Sequence, residues 1–143
     1  MTVIKKSKAV AFGAEQMYEL VNDIDSYPRF LPWCKATNVF SRGENGLTAS
    51  LTLEAGKISQ TFTTQNTMQP GRRIDVHLVS GPFKYLRGHW LFEPVTDRSC
   101  TVTLEMDFEF KNKLLKLTLS NVFNHIIGSL VEAFTRRAEE IYG

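Results

Sequence analysis

The side chains in this sequence that could do chemistry are few and scattered. The histidines are His77, His89 and His125, and the cysteines are Cys34 and Cys100. A nucleophilic thiol needs a base or a cationic neighbour to ionise it. Cys34 follows Trp33 and has no histidine near it in sequence, so it reads as a buried, inert thiol. Two cysteines without a CxxC spacing give neither a disulfide framework nor a four-thiolate zinc site. There is no HExxH, no GxSxG and no glycine-rich phosphate loop. His77 and His89 fall on the outward face of adjacent predicted strands, with Asp75 opposite His89, which reads as surface structure. Glu105, Asp107 and Glu109 form an outward acidic row. This chemistry suits binding rather than bond-making, and no catalytic residue, metal ligand or covalent cofactor is assigned.

The apolar residues are better organised. Aromatics make up 11% of the 143 residues, with ten Phe, in a chain that is 43% hydrophobic and 22% charged. That composition excludes wholesale disorder and collagen-like repeats, and the length fits one domain over 1–143. A net charge of +2 is no nucleic-acid signature. Basic residues cluster locally: Lys5, Lys6 and Lys8; Arg72 and Arg73; Lys111, Lys113 and Lys116; Arg136 and Arg137. They read as solvated surface, with anionic lipid headgroups or ribosomal RNA as the alternative partner. No signal-peptide pattern and no run of about 18 apolar residues is found, so the expected location is the cytosol or the cytosolic face of a membrane.

The periodicity then places these residues on elements. Residues 2–10 read as a strand and Ala14 to Asn22 as a helix. Asp25, Ser26 and Pro28 predict a second short helix through Phe30, stopped at Pro32. From Lys35 the period becomes two, and six strands follow, ending in the alternation Cys100, Val102, Leu104, Met106, Phe108, Phe110. Asn112 caps a helix over 113–142, with Phe123, Ile127, Leu130, Phe134, Ala138 and Ile141 in one stripe. A sheet with one apolar face and one long apolar helix has one economical packing: an α+β fold, the curved sheet wrapped around the helix.

Turn positions predict the cross-strand register. Hairpins centred at Gly81-Pro82, near Asp97 and at Gln69-Pro70 give two bulky rows, Phe62–Leu78–Leu86–Phe108 and Asn66–Ile74–Trp90–Leu104. Between them runs a thin row, Thr64–Val76–Gly88–Met106. Gly88 either leaves room for a ligand or lets a curved sheet bend. Gln60, Thr64 and Asn66 put polar atoms on that face, which suits a ligand with oxygen atoms or internal water. Across Gly56 the parities differ by one, and a bulge would reconcile them.

The segment Leu20-Val21-Asn22-Asp23-Ile24-Asp25-Ser26-Tyr27-Pro28-Arg29-Phe30-Leu31-Pro32-Trp33-Cys34 resembles the signature of the START-like (polyketide cyclase/coenzyme Q-binding) family. Gly81-Pro82-Phe83-Lys84, Gly88-His89-Trp90-Leu91-Phe92, Phe108 to Leu114 and Ala133 to Ala138 extend the likeness over essentially the whole chain, nearest to its proteobacterial branch of ribosome association toxins. The resemblance implies the helix-grip fold, with a seven-stranded antiparallel sheet, two short helices after the first strand, and a cavity between sheet and long helix. It implies a hydrophobic ligand, ubiquinone foremost, bound without catalysis in support of respiration, with peripheral contact at the inner membrane. In this reading Tyr27, Phe30, Leu31, Pro32 and Trp33 form a mobile lip; the other reading is a fixed hydrophobic plug. Phe62, Thr64, Val76, Phe83, Gly88, Trp90, Met106, Phe108, Phe123 and Ile127 would line the cavity. The branch implies an alternative function, binding the large ribosomal subunit to block its association with the small one. A cyclase-like enzyme is a third reading carried by fold alone.

Overall fold

The computed structural model describes residues 2–143. Its strands are β1 (Thr2–Val10), β2 (Cys34–Arg42), β3 (Gly46–Ala55), β4 (Ile58–Gln69), β5 (Arg73–Ser80), β6 (Phe83–Thr96) and β7 (Ser99–Phe110). They form one antiparallel sheet in the order β1-β7-β6-β5-β4-β3-β2. Helix α1 (Ala14–Asn22) and a 3-10 helix (Ile24–Arg29) join β1 to β2, and α2 (Lys113–Tyr142) ends the chain. This is the expected element order. The first strand adds to the far edge of the meander, with Thr2 opposite Phe108 and Val10 opposite Cys100.

The second short helix is a 3-10 helix and begins earlier than Asp25. Asp23 organises it: its carboxylate accepts the Ser26 hydroxyl at 2.6 Å and its carbonyl accepts the Ser26 N–H at 3.1 Å. Pro28 sits inside it rather than at its start. The tight turn survives because the Phe30 and Leu31 N–H groups both reach the Tyr27 carbonyl. At the long helix the cap is as expected: the Asn112 side chain accepts the Leu115 N–H at 2.9 Å, an interaction usually contributing about 1 kcal/mol. Leu119, Phe123, Ile126, Ile127, Val131, Phe134 and Ala138 face the sheet. Ile141, expected in the stripe, is half exposed because the helix outruns its cover.

The registers of β5–β6 and β6–β7 are as predicted: Ile74 faces Trp90, Val76 faces Gly88, Gly88 faces Met106 and Leu86 faces Phe108. The β4–β5 register is two residues off. Thr64 faces Leu78, Asn66 faces Val76 and Met68 faces Ile74. The turn centres on Gly71, whose φ of 76° is left-handed, so Gln69 closes the hairpin with Arg73. A slip of two keeps every side chain on its face, so the polar group in the middle row is Asn66 rather than Thr64. No bulge is needed across Gly56. A two-residue turn pairs Ala55 with Ile58, which sets Leu51 directly opposite Phe62. The bulge that bends this part of the sheet lies between Thr63 and Thr64, against β5.

Candidate ligand site

Two aromatic clusters mark off a space between sheet and α2. One is Phe62, Phe83, Phe108, Phe110 and Phe123, whose rings meet at 4.8 to 6.1 Å. The other joins Phe134 to Tyr27, Phe30 and Trp90 at 5.3 to 5.4 Å, edge to face. A cavity of about 90 Å³ lies between sheet and helix, its wall drawn from both clusters. Of the residues expected there, Tyr27, Trp33, Phe62, Thr64, Val76, Trp90, Met106, Phe123 and Ile127 line it. Leu51, Asn66, Ile126 and Phe134 line it too. Leu51 is hidden in the sequence by the ambiguous parity across Gly56. Asn66 has the right parity but sits one row away from its predicted place.

Three expected lining residues do not face this cavity. Phe83 and Phe108 are consumed by the first aromatic cluster, because α2 lays Phe123 directly on them. Phe83 only touches a small hollow beyond Phe62. Gly88 does not open a void. A Cβ there would stand 2.3 Å from Met106 Sδ and 2.2 Å from the Glu105 carbonyl oxygen. The glycine is needed because β7 comes close, and the flexible Met106 side chain fills the space it leaves.

The 3-10 helix and the loop after it form the rim. Phe30, Leu31, Pro32 and Trp33 border an open groove of about 1100 Å³ along α2, past Val122, His125, Ile126, Ser129 and Arg136. Trp33 and Ile126 line both groove and cavity, so these two side chains are the partition between them. The rim is held from two sides. The Tyr27 hydroxyl donates to the Val21 carbonyl, and complete burial, aided by Cys34 and Asp23, pushes its pKa far above the ordinary value. The Arg137 guanidinium lies 5.0 Å from the Phe30 ring centre, and its Nε is buried without a hydrogen-bond partner. Arg137 is thus part of the rim's support, and only Arg136 of that predicted basic pair is well exposed.

The polar content of the cavity is small and specific. Thr64 Oγ1 donates to Asn66 Oδ1 at 3.1 Å, both side chains buried. The Asn66 amide nitrogen has no partner among the described residues, although only 8% of this residue is exposed. The nitrogen keeps some accessible surface, unlike the sealed Asn22 Oδ1, Asp107 Oδ1 and Arg137 Nε, and it belongs to a residue on the cavity wall. Tyr27 is the one titratable side chain among those lining the cavity. Cys34 is buried beside the rim, and burial pushes its thiol up to about 11. On the outer sheet face Asp75 does stand opposite His89. Its carboxylate, however, is held by Arg73 at 3.0 Å, while His89 approaches Glu105 at 3.8 Å. Among the described residues no group of three or more His, Cys, Asp or Glu could hold a metal ion.

Curved sheet, long helix and a largely apolar space between them define a class of lipid-handling and cyclase folds. The family model described as polyketide cyclase / dehydrase and lipid transport matches residues 10–135, and the chain belongs to this START-like family. The ribosome association toxin RatA of Vibrio cholerae is 44% identical over 143 residues, covering 100% of this chain and 99% of that protein. The mitochondrial coenzyme Q-binding protein COQ10 of Drosophila melanogaster is 31% identical over 131 residues, covering 89% of this chain and 54% of that protein. The Zhui aromatase/cyclase of a Streptomyces species superposes with a TM-score of 0.86 over 96% of this chain and 93% of its own. At 16% identity that likeness is one of fold alone.

Proposed function

We propose that the protein is a non-catalytic carrier of a hydrophobic ligand with a carbonyl-bearing head, most simply ubiquinone. The observation that carries the reading is the Asn66 amide nitrogen, without a partner among the described residues, in a largely apolar cavity. A quinone carbonyl would accept that N–H, and the aromatic walls would cover the ring. The tail would leave through the partition and lie in the groove, where each buried CH₂ contributes about 0.8 kcal/mol. The cavity alone is too small: at ~30 Å³ per water it holds about three, well below the ~300 Å³ at the lower end of ligand pockets. Binding therefore requires Trp33 to move and join cavity to groove. The 31% identity to a coenzyme Q-binding protein supports the choice of ligand. The absence of an acid–base pair from the lining supports a carrier over a cyclase.

Gentle purification from a quinone-producing host, followed by native mass spectrometry and lipid extraction, tests this. Near-stoichiometric quinone is expected. Protein that emerges empty, and also fails to bind a short-tailed quinone, overturns the reading.

The 44% identity to a ribosome association toxin supports a second activity, binding to the large ribosomal subunit that prevents its joining the small one. The exposed Arg136 at the groove is a charge available for it. Sucrose-gradient sedimentation with separated subunits reads it directly: co-migration with the large subunit is expected, and free protein at the top of the gradient rejects it.

A further inference from the structure

The first turns of α2 present leucine where a solvated helix presents polar groups. Leu114 is 69% exposed and Leu117 is 81% exposed. They are three residues apart and therefore share a face. That face points away from the sheet, since Leu119 is buried and Leu115 partly so. Lys113 lies four residues before Leu117, and Lys111 and Lys116 flank the pair; all three lysines are exposed. None of the three makes an ion pair among the described residues, and no Asp or Glu occurs from Phe110 to Val131. Lysines at a helix N-terminus oppose the helix dipole, so the fold itself gains nothing from them there.

Two further observations place this patch. Helix α2 is long and apolar enough to cross a bilayer by length and composition, yet only 33% of its apolar window is buried. Its other face is locked into the sheet, so it can lie on a membrane but not traverse one. The groove described above runs along the same helix: Asn121 and Val122, one turn beyond Leu117, border it beside Ala55, and Lys57 follows in the adjoining turn. One end of the groove therefore lies about one helical turn from the exposed leucines.

We infer that the start of α2 is an interfacial docking surface for an anionic lipid bilayer. Leu114 and Leu117 insert at the acyl boundary, while Lys57, Lys111, Lys113 and Lys116 meet the headgroups. The pairing of apolar and basic groups selects a bilayer over RNA, which would use the lysines and leave the leucines in water. This inference concerns the outer surface and does not depend on which ligand the cavity takes. Docked in this way, the near end of the groove lies beside the membrane that would supply or receive a lipid.

The full chain is tested by flotation with vesicles of phosphatidylglycerol and phosphatidylethanolamine, and with vesicles of phosphatidylcholine alone. Binding to the anionic vesicles is expected, weakened by salt. The double variant Leu114→Ser/Leu117→Ser should lower partitioning by roughly tenfold or more, and Lys113→Glu/Lys116→Glu by at least about fivefold for each charge. Both variants change exposed side chains, and each should keep the parent melting temperature and its quinone binding. No flotation of the parent protein overturns the inference, as does flotation that neither variant weakens. If the lysine variant instead loses binding to ribosomal subunits while the leucine variant does not, and vesicles do not bind, the surface is an RNA face and the proposal fails.

Discussion

Replacing Thr64 with Val and Asn66 with Leu separates what these residues do for folding from what they do for a ligand. The pair is removed together because Thr64 donates to Asn66. Removing Asn66 alone would orphan the hydroxyl, whereas replacing both partners with apolar groups of similar shape is close to neutral. The Asn66 N–H is not sealed from solvent, so the folded state should change by less than about 1 kcal/mol. At this chain length that leaves the melting temperature within roughly 4 °C of the parent. Ligand binding should weaken. A carbonyl buried opposite the new aliphatic side chain loses its donor, at about 1–3 kcal/mol, or roughly 5- to 150-fold in Kd. Both tryptophans, Trp33 and Trp90, line the cavity, so titration with a short-tailed quinone can be followed by quenching of their fluorescence, beside a thermal melt of the free protein. A variant that keeps the parent fold and binds the quinone as tightly refutes the assignment of Asn66 as the ligand's donor.

Other outcomes follow from the same geometry. Trp33→Ala removes a partly buried ring from the partition and should cost about 1–2 kcal/mol, less than the ~3–5 kcal/mol of a fully buried one. It should speed both uptake and release of quinone in stopped-flow quenching, and a large fall in stability with unchanged rates would mean that the rim is a fixed plug. Gly88→Ala drives a methyl into the Glu105 carbonyl and Met106; a loss of at least ~2 kcal/mol in chemical denaturation is expected, and a variant as stable as the parent would contradict the close approach of β7. Cys34 ionises near 9 when unfolded but is pushed up to about 11 by burial in the fold. Its contribution is complete below about pH 9 and declines as pH rises toward 11, since the unfolded chain loses its proton first. The stability difference between parent and Cys34→Ala should shift against the parent across that window, and a constant difference would show that the thiol ionises alike in both states.

The sequence carried the fold through alternation and turns, and the limits of that reading are specific. The register from Ile74 to Phe108 was legible because the turns around Gly81-Pro82 and Asp97 have well-marked centres. At Gln69-Pro70-Gly71 the glycine, not the proline, holds the centre, and the row containing Asn66 moved by one pair. Gly88 looked like an opening because a strand pattern counts side chains without following where a long flexible one bends; Met106 fills the gap from the neighbouring strand. Phe83 and Phe108 looked like cavity wall because parity says which face a residue is on, not where along that face the helix presses. The rim was legible as a place, since Asp25, Ser26 and Pro28 signal a short helix and Pro32 its stop, with aromatics between and beside the prolines as apolar cover. The exposed leucines at the start of α2 had no signal of their own, because helical spacing alone gives no solvent-facing reason for them.

The pairing of β1 with β7 also has a bearing on how the protein is made. Ser7 and Thr103 share a hydroxyl hydrogen bond at 3.0 Å although they are 96 positions apart. The first strand synthesised therefore waits for nearly the last before it has a partner, and the apolar concave face waits longer still for α2. Such distant contacts slow folding and prolong the exposure of apolar surface. Chains truncated within α2 would expose Phe108, Leu104 and Trp90 together, so the final thirty residues decide whether a nascent chain becomes a closed container or an adhesive sheet.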